Sequence, residues 1–194
     1  MVLGQVRQIT LSIGFTQYGN LGRVLYEYVA RGGLFAKDIK PFVDRMKESS
    51  TAYNQTLIGL LKAAGDDPIM QRVQEEMFAK LYLGPGISWA EGEGMVLPLS
   101  NMIVCDSYLH SGSILQFLRD RFAATTPKKG GDEKIWIKQY TEARHNWLAK
   151  HSNQLLRNTI YRTGYYKELI ASHDWTLDKY HLVAMNGVKP LAVG

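Results

Sequence analysis

An aspartate in the most apolar helical stretch of the chain is the first candidate for chemistry. Asp106 shares a helix face with Leu99, Met102 and Ile103, inside a segment from Val96 to His110 that is hydrophobic on most sides. A carboxylate in such surroundings must be paired with a cation or protonated. The pattern predicts a buried ion pair, and a structural pair is more common than a proton-transfer role.

Three arginines on later predicted helices are the candidate partners of Asp106. Arg144 lies on an aromatic-lined helix, and Arg157 and Arg162 follow on the next one. A buried aspartate with one or two arginines forms a bidentate network that fixes helices against each other. The pattern equally allows all three guanidinium groups to reach solvent along their apolar stems. His110, four residues after Asp106, is another possible partner on the same face.

Other common forms of catalytic chemistry lack their motifs in this sequence. The five histidines have none of the spacings typical of metal ligands, and no glycine-rich phosphate loop is present. Asp106, Ser107 and His110 lie within about one helical turn, which cannot give the geometry of a catalytic triad. Cys105 is the single cysteine and is expected to be a buried small hydrophobe. We therefore expect neither a metal nor another cofactor.

Charge and hydropathy restrict the partners. The net charge is +5, which favours an anionic partner, but the basic residues are dispersed and no nucleic-acid-binding motif accompanies them. Nucleic acid is therefore not expected as a partner. No apolar run reaches the length of about eighteen residues that a membrane span needs. The polar, alternating segment from Met1 to Ile13 does not have the pattern of a signal peptide.

The elements that must position these residues follow from hydrophobic periodicity. Alternation between Gln5 and Ile13 predicts one strand near the N-terminus, and the rest of the chain has mostly the helical period. With no repeat or low-complexity linker, residues 1–194 are expected to form one mainly helical domain. The predicted helices run from Leu21 to the Gly32-Gly33 stop, Thr56 to Ala64, Met70 to Leu81, Val96 to His110, Ile114 to Phe122, Asp132 to Trp147 and Leu155 to Ile170.

Four connecting segments are expected between or after these helices. Gly84-Pro85-Gly86 predicts a turn, and the segment from Trp89 to Gly94 an exposed acidic loop. The segment from Thr126 to Glu133 combines turn residues with acids that favour a helix start. Asn186-Gly187 predicts a hairpin in the tail.

In their order and spacing, several of these fragments resemble the chitosanases of glycoside hydrolase family 46. The resemblance spans nearly the whole chain. It implies a lysozyme-like, mainly α (α+β) fold with two helical lobes joined by a central buried helix and a short strand region near the N-terminus. The matching fragments are Arg7-Gln8-Ile9-Thr10, Ile13-Gly14-Phe15, Gly19-Asn20, Cys105-Asp106-Ser107 with His110 and Gly112, Thr126-Pro127, Gly130-Gly131-Asp132-Glu133, and Arg144.

The resemblance also implies an activity and a set of site residues. The family's inverting cleavage of β-1,4-linked amino-sugar polymers needs two carboxylates on opposite faces of the scissile bond. Its cleft-lining positions correspond to Arg7, Thr10 and Asn20. The buried network that supports its catalytic acid corresponds to Asp106, Arg144 and Arg157. The partner implied is a polysaccharide, either peptidoglycan or chitosan.

The sequence departs from the family at the catalytic acids. The family has a glutamate on a helix upstream of the first strand and an aspartate just ahead of the arginine that Arg7 matches. No acid occurs from Met1 to Val6, so the usual N-terminal catalytic segment is expected to be missing and the catalytic residues stay unassigned. This chain should then hydrolyse either polymer far more slowly than a complete family member.

Several interpretations fit this departure. The chain is a fragment of a longer glycosidase, a glycan-binding relative without activity, an enzyme that uses other acids (Glu27, Glu91 or Glu93), or a basic helical interaction protein. A positive net charge suits anionic peptidoglycan better than cationic chitosan, since like charges slow association. Either substrate implies action outside the cytoplasm.

Overall fold

The computed structural model describes residues 2–3, 6–12 and 14–178, most of them in helices, which confirms the mainly helical class. The chain divides into two units, Met1–Leu81 and Tyr82–Gly194. Among the described residues, no helix has the length and apolarity needed to cross a bilayer. The expectation of a single domain stays a prediction. The predicted hairpin at Asn186-Gly187 lies outside the described residues.

The N-terminal segment forms two short hairpins, so the prediction of one continuous strand was wrong. Antiparallel pairs join β1 (Val2–Leu3) to β2 (Val6–Arg7) and β3 (Thr10–Leu11) to β4 (Phe15–Thr16). The chain turns after β3 at Ser12, whose φ of 53° lies in the left-handed region, outside the extended conformation of a regular strand.

Three of the α-helices of the first unit follow the predicted pattern, and the second was not predicted. In chain order these helices are α1 (Leu21–Ala30), the unpredicted α2 (Ala36–Val43), α3 (Gln55–Ala64) and α4 (Pro68–Phe78), with a 3₁₀ turn at Ser49–Tyr53. Asp67 begins α4 by accepting a hydrogen bond from the Ile69 amide, 2.9 Å away. The same carboxylate accepts from the Tyr28 hydroxyl at 2.6 Å and the Leu34 amide at 2.7 Å. One buried side chain therefore ties α1, the turn after it and α4 together.

The second unit begins in a region that the sequence analysis assigned wrongly. A π-helical turn at Ala79–Leu83 leads into α5 (Gly84–Gly92), so Gly84-Pro85-Gly86 opens a helix and is not a turn. Proline is well suited to a first helical turn, where its missing amide hydrogen has no partner to lose. Gly86 is required for contact with α6 (Pro98–Ser111), because a Cβ there would lie 2.9 Å from the Cys105 Cα.

The helix α6 is buried on most sides, as predicted, and ends at Gly112 with a φ of 77°, and further helices follow it. They are α7 (Gln116–Arg119), α8 (Glu133–Ala149), α9 (Gln154–Arg157) and α10 (Ile160–Ala171). The helix predicted from Leu155 to Ile170 is thus broken in two. At the break, the Thr159 hydroxyl donates to the Leu156 carbonyl at 2.7 Å, a local bond that competes with the helical ladder.

Candidate functional site

A buried ion network joins three helices of the second unit. Asp106 on α6 is 7% exposed, and Arg144 on α8 is 1% exposed. The Nη1 atom of Arg144 lies 2.6 Å from Oδ2 of Asp106. Arg162 on α10 donates to the other carboxylate oxygen through Nε, 2.8 Å away, and through Nη2. We call Asp106, Arg144 and Arg162 the arginine network.

The charges in this network hold Asp106 ionised. Burial raises the pKa of its carboxyl group, but the guanidinium groups of Arg144 and Arg162 outweigh burial, and the pKa lies below its ordinary value. The Nε and Nη2 atoms of Arg144 are buried and have no hydrogen-bond partner among the described residues. The network therefore keeps donor capacity beyond the bonds to Asp106.

The predicted ion pair between Asp106 and Arg144 is confirmed, whereas the predicted role of Arg157 was wrong. The Arg157 guanidinium donates to the backbone carbonyls of His151 and Ser152 and to the Gln154 side chain. Arg162 on α10 takes the second place, and Arg157 lies on the separate short helix α9. The spacing of Arg162 from the buried Tyr166 and Leu169 was the signal that could have identified it.

Aromatic and hydroxyl groups enclose the arginine network. The Tyr140 hydroxyl donates to the Ser107 hydroxyl at 2.9 Å, and Ser107 donates to the Ile103 carbonyl at 3.1 Å. The Trp136 and Tyr140 rings stack with centroids 5.1 Å apart. Tyr166 is 8% exposed, and its pKa is raised by burial and by the charge of Asp106. These contacts fix α6 against α8 around the ion pairs.

His110 is near the network but is not bonded to Asp106, whose two oxygens are taken by the arginines. Its Nδ1 atom lies 3.4 Å from the Ser111 hydroxyl. Burial and the positive charges of Arg144 and Arg162 together lower the pKa of the imidazole to about 4, against a smaller opposing effect of Asp106. His110 is therefore neutral at pH 7.

We expect this histidine to make stability fall with acidification. The unfolded chain takes up a proton near pH 6.5, whereas the folded state does so only near pH 4. The unfolded state therefore binds more protons in this window, by up to about one, and the free energy of unfolding should fall from pH 6.5 towards pH 4. Urea unfolding across this range should show a shallower fall for His110→Gln. An unchanged slope would contradict the assignment, and His173→Gln, at an exposed site, is the control.

The residues predicted to line a cleft lie in the first unit. Arg7 in β2 is exposed, and its guanidinium carbon lies 5.2 Å from the centre of the Tyr53 ring. Thr10 in β3 has a buried hydroxyl with no hydrogen-bond partner among the described residues. Asn20 precedes α1 and is half-buried, and its side chain does not cap the helix. Their role in binding stays a prediction.

Gln17 is a residue of this region that the sequence analysis missed. It is 1% exposed; its Oε1 accepts from the Ile9 amide at 3.1 Å, and its Nε2 donates to the Glu48 carbonyl at 2.9 Å. This side chain joins the β3–β4 hairpin to the segment just before the 3₁₀ turn that carries Tyr53. A buried glutamine gives no periodic signal in the sequence, because its contribution to the fold depends on hydrogen-bond partners that are distant along the chain.

Two of the three acids that the sequence analysis named as alternatives, Glu27 and Glu93, bond to other side chains of the protein. Glu93 accepts from the Thr126 hydroxyl at 2.5 Å, and its carbonyl accepts from the Lys128 amide at 3.0 Å. The predicted exposed loop from Trp89 to Gly94 is therefore wrong: it starts inside α5 and ends bonded to the next loop. Glu27 forms an exposed 3.7 Å ion pair with Arg31, and Glu91 is exposed. The described residues include no cluster of three potential metal ligands.

Comparison with known proteins identifies the family. The family model described as glycosyl hydrolase family 46 matches residues 13–179. The native chitosanase from Bacillus subtilis MY002 has 18% sequence identity and a TM-score of 0.73, covering 89% of this chain and 78% of that one. The Gynuella sunshinyii GH46 chitosanase in complex with chitotetraose has 18% identity and a TM-score of 0.76, covering 97% and 89%. A comparison with curated proteins found no match. The chain belongs to glycosyl hydrolase family 46, the family that its sequence fragments resemble.

Proposed function

We propose that this protein is a glycoside hydrolase that cleaves a β-1,4-linked amino-sugar polymer, with chitosan as its first candidate substrate. The observation that carries the proposal is the family match across residues 13–179. The fold supports it, since similar structures include a chitosanase complexed with 6 GlcN and another with chitotetraose. The proposed reaction is inverting, with one carboxyl group protonating the leaving oxygen and another activating water. Neither carboxylate is assigned to a residue here.

The arginine network has a positioning role in this proposal. Asp106 holds Arg144 and Arg162 in fixed orientations, and Arg162, with a side chain 23% exposed, is the more accessible of the two arginines. A fixed guanidinium pair is suited to orienting a further carboxylate, because each has donors left over after pairing with Asp106. The network is then expected to affect turnover more than substrate affinity.

Sugar contact is proposed for the first unit. Arg7 is exposed beside the exposed Tyr53 ring, and the half-buried Asn20 lies just before α1. An aromatic ring suits the apolar face of a sugar, and guanidinium and amide groups suit its hydroxyl groups. Arg7 and Thr10 precede the segment that the family model matches, whereas Asn20 lies within it. We further propose that the two units act as one catalytic domain, outside the cytoplasm.

Peptidoglycan is a second candidate because of the net charge of +5. Protonated chitosan is a polycation, and long-range repulsion would slow its association with a basic protein at low salt. Peptidoglycan carries peptide carboxylates and has no such penalty. The charge argument concerns the rate of encounter, while the family match concerns the bond that is cleaved, so chitosan keeps the first place.

One experiment tests the substrate and the proposed contact residues together. We expect calorimetry to detect binding of a glucosamine hexamer, and a reducing-end assay to detect cleavage of chitosan. Arg7→Ala and Asn20→Ala should each weaken hexamer binding by about five- to tenfold, corresponding to roughly 1–1.4 kcal/mol for one lost polar contact. Circular dichroism should show both variants folded like the parent.

The controls separate the remaining interpretations. Arg72→Ala removes another exposed arginine of the first unit and should leave binding unchanged. Binding without cleavage of chitosan or peptidoglycan would favour a glycan-binding relative, and cleavage of peptidoglycan alone would favour the second candidate. If neither polymer binds, the proposed function is wrong. Equal affinity in Arg7→Ala, Asn20→Ala and the parent would remove only the contact assignment.

A further inference from the structure

A cavity of about 430 Å³ lies in the second unit, against one side of α8 and the C-terminal part of α10. Its walls include Ile135 from α8, Ile170 and Ala171 from α10, and Trp175 from the segment that follows. This volume is within the range of about 300–1,000 Å³ that is typical of small-molecule sites. We call it the α8–α10 cavity.

The cavity is separate from the arginine network. Lys138 on the cavity wall comes two residues before Tyr140, and a step of two residues turns a helix by about 200°. Tyr140 and Arg144 point into the buried core, so Lys138 and Glu142 lie on the opposite side of α8. A ligand in the cavity would therefore not touch the arginine network.

The rim of the cavity is basic. Lys134, Lys138 and Lys167 contribute three positive charges, and Glu142 contributes one negative charge. That acid already pairs with Lys167, since the Nζ and Oε2 atoms are 2.7 Å apart. Lys138 has no ion pair among the described residues. The rim therefore has two positive charges in excess of its acid, both from α8.

The interior of the cavity is apolar and includes an aromatic ring. The Trp175 side chain is 8% exposed, and the Nζ atom of Lys134 lies 5.5 Å from the centre of its ring. Ile135 is 54% exposed, so this apolar side chain of the cavity wall faces solvent. An apolar ligand would cover this isoleucine, and a negative group on the same ligand would meet Lys134 and Lys138.

We propose that the α8–α10 cavity binds a small organic anion that has an apolar body and one acidic head group. The body packs on Ile135, Ile170 and Trp175, and the head group pairs with Lys134 and Lys138. Charge complementarity selects an anion, and the apolar interior selects against inorganic ions. This site is independent of the proposed glycosidase function, and its failure would leave that function untouched.

Fluorescence titration with 8-anilinonaphthalene-1-sulfonate tests the proposal, since this probe combines an aromatic body with a sulfonate. We expect saturable binding at one site, competition by decanoate, and no competition by inorganic phosphate at the same concentration. Lys134→Glu combined with Lys138→Glu should weaken binding at least about tenfold. Ala171→Trp, which fills the exposed edge of the cavity, should abolish saturable binding. Lys150→Glu, at an exposed position after α8, is the matched control and should bind like the parent.

Each other outcome overturns the proposal. Absence of saturable binding, or equal binding by the parent and Ala171→Trp, would show that the cavity is not the site. Displacement by phosphate would show a simple anion site without an apolar requirement. If Lys150→Glu weakens probe binding as much as the double variant Lys134→Glu, Lys138→Glu does, the loss of affinity comes from net charge and not from the cavity rim. Circular dichroism confirms folding of each variant, so that a lost signal is not a lost structure.

Discussion

Replacing Asp106 with asparagine should lower the free energy of unfolding by about 3–5 kcal/mol. The substitution keeps the size and shape of the side chain but removes the negative charge between two guanidinium groups. Arg144 is 1% exposed and would remain in the core as an unpaired cation, whereas Arg162 is nearer to solvent. The cost is therefore the desolvation of Arg144, which the native ion pair offsets. Urea unfolding, followed by tryptophan fluorescence, measures the change.

Two comparisons make this result specific. Glu48→Gln removes the acid of an exposed ion pair with Arg45, 2.9 Å apart, and should change stability by less than about 1 kcal/mol. Asp106→Leu combined with Arg144→Met removes the two most deeply buried charges of the arginine network and should be more stable than Asp106→Asn, because the only cation of the network that loses its partner is then Arg162, whose side chain is 23% exposed. A loss below 1 kcal/mol for Asp106→Asn would show that the network does not hold the helices together.

Replacing Gly131 with alanine should destabilise the second unit by roughly 3 kcal/mol, at the upper end of the usual cost of overpacking. An added Cβ would lie 1.8 Å from the Thr125 carbonyl oxygen, so the backbone itself must move. The surroundings oppose that movement. Thr126 is bonded to Glu93, and Asp132 begins α8 by accepting from the Ile135 amide at 2.8 Å.

Gly164→Ala is the matched control for Gly131→Ala. Gly164 lies inside α10, and an added Cβ there would meet nothing within 4 Å. Alanine is about 0.5–1 kcal/mol more favourable than glycine within a helix, so this variant should be more stable than the parent. Glycine-to-alanine substitution should therefore lower the free energy of unfolding at position 131 and raise it at position 164. A neutral result at Gly131 would mean that the loop is free to move.

The sequence alone determined the helical class, most helix positions and the family. Periodic apolar residues gave α1 and α8, because an amphipathic helix must bury one face whatever its neighbours are, and apolar residues on most sides identified α6 as a buried helix. Asp132 was expected at the start of α8, because an N-terminal acid acts on the helix that contains it. The need for a cation beside Asp106 was also predictable, since an isolated charge in an apolar helix is too costly.

Only the tertiary structure decided which arginines pair with Asp106 and where several helices begin. The sequence pattern left Arg157 and Arg162 both open as partners, and the folded chain brings Arg162 of α10 to Asp106 while Arg157 of α9 bonds elsewhere. The neighbouring residues of Gly86 predict a turn, but in the structure its missing side chain lets α5 approach Cys105 of α6. Gln17, Arg162 and Gly86 all act through residues more than seven positions away. Sequence periodicity reports on forces within one element, whereas these choices depend on which elements meet.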